Sequence, residues 1–318
     1  MDERHFADTV IIGAGMAGLA CATALTAARC EVRLLDKGRG PGGRMATRRA
    51  PLGSRQLRFD HGAQYFTARD PRFIEVVEAW HGQGVVAPWP AAGEEAWVGA
   101  PAMNTPIRHM AEALDVTLSA RAESIAETAQ GWAITTPDQT LVSRNLVIAI
   151  PPEQVKALLA DVVPDLAALA GAVRSSPCWA VMAMFDEPLG HTPDCWRDET
   201  GPISWAARNG AKPGRDGSES WVIQASPGWS EKMLELEQDE ASEILLAEFF
   251  SCIGIERIEP QFLTAHRWRY AMPQVREGEA AIWDRERRIG LAGDWLHSPR
   301  VEGAFLSGCT LADAIIAA

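Results

Sequence analysis

Three glycines, Gly13, Gly15 and Gly18, fall in the stretch G-A-G-M-A-G between a β-branched run, Thr9 to Ile12, and an alanine-rich stretch, Leu19 to Ala28. That order is strand, turn, helix. Gly13 permits a tight turn, Gly15 lets a pyrophosphate approach the backbone, and Gly18 lets the helix pack closely on the strand. Met16 and Ala17 then stand at the helix start, where free N–H groups face negative charge. A second strand, Glu31 to Leu35, ends in Asp36 and Lys37; Asp36 lies eighteen residues after Gly18, where a carboxylate accepts hydrogen bonds from an adenosine ribose. The spacing predicts a nucleotide site and leaves NAD and FAD both open.

The next residues favour the flavin. Gly42-Gly43, followed by Arg44 and Met45, stands a short, set distance beyond the ribose acid and offers backbone N–H groups and a cation to a second, longer segment of cofactor. A domain built for NAD would pass to its next helix here. The alternative reading is a solvated basic loop.

Elements that position such a site must come from a chain of 318 residues, enough for a well-buried core in two joined lobes. The formal net charge is −12, and basic residues run together only in short pairs such as Arg48-Arg49. Neither nucleic acid nor an anionic membrane is expected as partner. Six cysteines without a C-x-x-C pair suggest neither a disulfide framework nor a metal site. No run of eighteen apolar residues occurs, and the first residues lack the basic-then-apolar layout of a signal peptide, so a cytoplasmic enzyme is expected.

Five segments in order, D-K-G-R-G-P-G-G-R-M, F-D-H-G-A-Q-Y-F-T-A-R-D (59–70), L-V-I-A-I-P-P (146–152), A-H-R-W-R-Y-A-M-P (265–273) and G-L-A-G-D-W-L-H-S-P-R-V-E-G-A-F-L-S-G (290–308), resemble bacterial renalase-type flavoproteins, relatives of the amine oxidases. The resemblance implies an α/β fold: a Rossmann-type FAD-binding domain of residues 1–65, 97–152 and 286–318, with an inserted α+β substrate domain of residues 66–96 and 153–285. It implies noncovalent FAD held by the two glycine clusters with Asp36 and Lys37, by Gly43, Arg44 and Met45, and by His61, Gly62, Ala63 and Gln64. Ile125, Gly293, Asp294, Glu302, Gly303 and Ala304 complete that set. The Gly293-Asp294 aspartate is expected at the ribityl chain. The terminal helix, starting near Glu302, is expected to face the flavin's pyrimidine side, where a helix N-terminus stabilises the negative charge of the reduced ring. Cys309, inside that helix, is expected to be inert.

The segment between 153 and 285 reads as a helix from Gln154 to Leu169, strands at Cys178 to Phe185, Ser220 to Ala225 and Phe262 to Tyr270, and an acidic amphipathic helix from Ser230 to Phe250. Its tryptophans are read mainly as core. The chain has four lysines and two tyrosines, Tyr65 and Tyr270; Lys212 is read as a loop residue, and no lysine falls on a strand of this lobe. Within the resemblance, Gln64, Tyr65, Trp205, Arg208, His266 and Trp268 are the candidate pocket residues. Arg208 is either an anchor for a phosphate or carboxamide or an exposed arginine, and His266 is either a ligand contact or a buried histidine. His61 is read as buried rather than catalytic.

The activity so implied is oxidation of 2- or 6-dihydro forms of NAD(P), hydride passing to flavin N5 and then to O2, giving NAD(P)+ and H2O2. Hydride loss restores an aromatic pyridinium, so no base is required. A flavin amine oxidase or desaturase, or a non-catalytic flavin-binding protein, is the alternative, with an NAD(P) dehydrogenase behind them. The expected partners are a small-molecule substrate, dihydronicotinamide nucleotide or amine, and O2.

Overall fold

A computed structural model describes residues 6–190 and 192–318. The first five residues, which formed part of the leader argument, lie outside that range.

The β-branched run near the N-terminus forms the strand Phe6–Ile12, which pairs in parallel with Val32–Leu35 on one side and Thr140–Ile148 on the other. Register aligns Ile12 with Leu35 and Ile148, so the three strands end together. Their ends open the crevice where open parallel sheets bind ligands. Ile289–Leu291 and Asp115–Thr117 extend this eight-stranded sheet outward in parallel, and Ile282–Asp284 and the hairpin of Ser124–Thr128 with Gly131–Thr135 add antiparallel strands. The helices Met16–Ala27 and Val301–Ile316 pack on each other because Gly308 has no side chain; a Cβ there would stand 2.2 Å from the Ala17 carbonyl oxygen.

A second sheet is antiparallel, in the order Cys195–Arg197, Ile203–Arg208, Ser220–Ala225, Ser175–Met184, Phe262–Pro273. Alternation divides its faces. Val181, Ala183, Trp221 and Ile223 cluster with Leu245, Leu246 and Phe249 of the helix Gln238–Ile253. Met182, Met184 and Val222 cluster instead with Ala50, Leu57 and Phe59 of the hairpin Arg48–Leu52 and Arg55–Phe59.

Two helix expectations need correction. The helix expected over Gln154 to Leu169 is two, Pro152–Leu159 and Pro164–Gly171. Pro164 has no N–H to continue a helix and drives Val163 to φ −136°, ψ 71°, so the chain restarts there. The acidic helix is likewise split into Pro227–Lys232 and Gln238–Ile253. Ile282–Asp284 pairs with Ile289–Leu291 in the nucleotide sheet, and the helix Pro71–Gly82 sets Phe73 on Phe305 of the terminal helix at 4.9 Å between ring centroids.

Candidate active site

A cavity of about 2600 Å³ runs from the ends of the parallel strands to the second sheet. That exceeds the roughly 300–1,000 Å³ of a small-ligand pocket and has room for a dinucleotide together with a substrate. At one end stands the glycine turn. Gly13 has φ +108°, and a Cβ on Gly18 would lie 1.9 Å from the Gly13 carbonyl oxygen, so both glycines are demanded by the turn itself. Gly15 differs, since a Cβ there would meet no protein atom within 4 Å; with Met16 and Ala17 it lines the cavity. The helix Met16–Ala27 has no side-chain cap and no acid in its first turn, which leaves its N–H groups for an anion.

Asp36 accepts hydrogen bonds from the amides of Ala14 (2.7 Å) and Gly38 (2.6 Å), one on each carboxylate oxygen. Each oxygen keeps a lone pair for a ribose hydroxyl. Lys37 also lines this end and donates to Gln154. The second glycine pair folds against the first: Gly43, at φ +50°, would place a Cβ 3.6 Å from the Gly15 Cα. Met45 is buried beside it in the cavity wall. Arg44 is not a free cation, because it pairs with Asp294 at 2.7 Å and donates to the Ala271 carbonyl, tying three distant segments together at the cavity wall.

The segment 60–65 is clamped from several sides. The Arg44 carbonyl accepts from Ala63 N, and a Cβ on Gly62 would stand 2.0 Å from that oxygen. Gln224 donates to the Gly62 carbonyl and the Trp268 indole to the His61 carbonyl. Gln64 is a pocket candidate whose amide is already spent: Nε2 donates to the carbonyls of Asp60 and Gly62, and Oε1 accepts from Lys212 Nζ at 3.1 Å. It therefore shapes the wall rather than offering a free amide.

Behind Gln64 lies a buried ionic cluster that the sequence reading missed. Asp60 pairs with Arg215 at 2.5 Å and Lys212 at 3.5 Å and accepts from the Met103 amide and the Thr47 hydroxyl. Burial pushes the Asp60 carboxyl up, but Lys212, Arg215 and the Met103 amide together bring it down to about 2. Lys212, on a loop as read but fully buried, is pulled down to about 8 by burial against the attraction of Asp60. Its rarity in a four-lysine chain was the available signal.

On the side of the five-stranded sheet Tyr65 and Trp205 stack at 5.4 Å between centroids, with the Arg197 guanidinium 4.5 Å from the Trp205 ring and 5.4 Å from that of Tyr65. The Trp205 indole N–H is buried without an acceptor. His61, His266 and Trp268 form a second aromatic group with centroids 4.6–5.0 Å apart. Burial, His266 and Arg48 hold His61 down at about 4; burial and Arg48 lower His266 also, so both imidazoles are neutral at pH 7.

Four candidates fall elsewhere. Arg208 is no anchor: Asp194 (2.5 Å) and Glu219 (3.5 Å) hold it, and it does not line the cavity. Ile125 is core, and the wall beside it is made by Leu118 and residues 120–123. Glu302 accepts from the amides of Arg69 (2.5 Å) and Asp70 (2.7 Å), fixing the loop before Pro71–Gly82, while Val301 and Ala304 of the same first turn face the cavity. Gly303 also turns away, its missing Cβ leaving room for the Ser298 carbonyl oxygen at 2.2 Å. Gly293 and Asp294 line the cavity.

Fold and site together define an FAD-dependent oxidoreductase with a Rossmann-type domain. The residues fit that cofactor: Gly15 opens on space that a phosphate can fill, Asp36 keeps acceptors for a ribose, and a helix start with Val301 and Ala304 on the wall faces the far end. Residues 11–80 match the family model described as NAD(P)-binding Rossmann-like domain, and residues 90–316 match the model for flavin containing amine oxidoreductase. The chain belongs to the flavin containing amine oxidoreductase family. Its fold is similar to that of a putrescine oxidase solved with putrescine (14% identity, 98% of this chain and 99% of that one, TM-score 0.72). Cyclohexylamine oxidase from Brevibacterium oxydans IH-35A gives the same figures. A protein from Exiguobacterium sp. 255-15, provisionally assigned as a protoporphyrinogen oxidase, is similar at 15% identity over 97% of this chain and 98% of that one, with a TM-score of 0.76.

Proposed function

We infer that the protein oxidises 2- or 6-dihydro isomers of nicotinamide nucleotides, in the manner of the renalase-type flavoproteins it resembles, with O2 as electron acceptor and FAD bound without a covalent link. The observation that carries this is the charge of the cavity. Eleven lysines and arginines line it against four aspartates and glutamates, in a chain whose net charge is −12. A concentration of one sign in a cleft raises the local concentration of the opposite sign. The FAD pyrophosphate uses part of that excess, and the remainder suits a second phosphorylated molecule rather than a cationic amine.

FAD supplies hydride acceptance and reoxidation by O2. The protein's share is orientation and exclusion of water. Tyr65 and Trp205 offer a stacked wall for a planar ring. Arg197 over those rings repels an ammonium ion. Among the described residues no lysine or histidine of this wall stands ready as a base: Lys37 lies at the adenosine end, Lys212 is sealed behind Gln64, and both histidines have weakened basicity. Cys309 lies outside the cavity lining, and burial raises its thiol to about 11, which removes it as a tether.

A pH profile tests the absence of a base. The anaerobic rate of flavin reduction by a 6-dihydronicotinamide nucleotide is expected to stay constant between about pH 6.5 and 7.5, at or above the ordinary histidine value from which His61 and His266 are both lowered and below that of Lys212. A rate climbing about tenfold per pH unit would mean that a substrate proton is lost first, as for an amine.

A further inference from the structure

Among the arginines that line the cavity, Arg44 is held by Asp294 and Arg267 by Glu235, and the others apart from Arg48 are exposed. Arg48 is half-buried, and among the described residues it makes no side-chain hydrogen bond or ion pair. It sits opposite Phe59 in the hairpin, two residues from His61 across the strand pair. The neighbouring wall is the group of His61, His266 and Trp268, whose imidazoles are neutral and whose His61 Nδ1 is buried without a well-formed hydrogen bond. A half-desolvated guanidinium with no counter-ion is costly unless an anion completes it. Its fork of donors matches a phosphate, and a neutral imidazole can add one N–H.

Resting on the dihydronicotinamide reading above, we propose that Arg48, with His266 beside it, is a phosphate subsite for the nucleotide part of the substrate. It is separate from the turn that takes the FAD pyrophosphate. The cofactor phosphates belong to Gly15 and the helix Met16–Ala27 on the eight-stranded sheet, whereas Arg48 lies on the separate hairpin with Arg55–Phe59, and its charge acts on His61 and His266. Arg48 thereby selects a phosphorylated nicotinamide over its riboside.

The test is binding to the FAD-loaded protein, followed by calorimetry with nicotinamide mononucleotide and with nicotinamide riboside. Wild type is expected to bind the mononucleotide about 10- to 100-fold more tightly, as one charge-assisted contact implies. Arg48→Gln is expected to abolish that ratio, leaving riboside affinity and FAD content unchanged. Equal affinities in wild type overturn the proposal without any variant, and so does a ratio that survives Arg48→Gln. A variant that folds but loses FAD also overturns it, since Arg48 would then serve the cofactor. Should Arg48→Gln not fold, Arg48→Lys, which keeps the charge and loses the fork, is expected to lower the ratio without erasing it; an unchanged ratio there is again contrary. Flavin bleaching is a separate readout. An Arg48-dependent phosphate preference without reduction by any dihydro isomer would leave the subsite standing and remove the oxidase reading.

Discussion

Gly15→Val is expected to yield a folded protein that carries less than about a tenth of the wild-type FAD, because the new side chain occupies the space a pyrophosphate needs. Gly15 has extended backbone, φ −87° and ψ −176°, which valine adopts readily, and its Cβ would touch no protein atom within 4 Å. The substitution therefore spares the protein's own packing and strikes the cofactor alone. Gly18→Ala is the contrasting change, since its Cβ would meet the Gly13 carbonyl oxygen at 1.9 Å and damage the turn itself. Acid precipitation followed by flavin absorbance of the supernatant checks the cofactor, and circular dichroism checks the fold. Wild type should release intact FAD into the supernatant. Ordinary flavin content in Gly15→Val would place the pyrophosphate elsewhere and remove the basis for the site.

Asp60→Asn is expected to have the largest effect on stability. It leaves the buried cations Lys212 and Arg215 facing a neutral amide, and breaking a buried ion pair from one side costs about 3–5 kcal/mol. For a chain of this size that lowers the melting temperature by on the order of 10 °C. The native carboxyl pKa of about 2 lies below the ordinary 3.8, so the pair's contribution is complete above about pH 4 and fades as pH falls toward 2. The variant should lack that part of the acid dependence. Adding Lys212→Met to Asp60→Asn removes one stranded charge and is expected to recover part of the loss. A melting temperature within about 2 °C of wild type would show that the cluster contributes little.

What could be read in advance followed sequence distance. The glycine turn, Asp36 and the Gly42-Gly43 pair all lie within residues 13–43, and each is written in local residue type and spacing. The strands Ser220–Ala225 and Phe262–Pro273 were legible from apolar and β-branched runs. Side-chain partners were not. Arg44 meets Asp294 across 250 residues, and Lys212 meets Asp60 across 152. Nothing local to A-K-P-G-R-D reveals that its lysine is sealed in rather than exposed. Arg208 misled for the same reason, since its partners Asp194 and Glu219 come from flanking segments whose approach only the tertiary fold decides. Glu302 and Ala304 share a helical turn, yet one fixes a loop and the other lines the cavity, a difference set by the rotation of the helix against its neighbours.

The most direct measurement is anaerobic mixing of the FAD-loaded protein with 2-, 4- and 6-dihydro-NAD and, separately, with simple amines, following the visible flavin band. A 2- or 6-dihydro isomer is predicted to bleach the flavin rapidly and appear as NAD+, with colour restored by O2 and H2O2 formed. Rapid bleaching by amines, with the dihydro isomers inert, would contradict the account and make the protein an amine oxidase in substrate as well as in family.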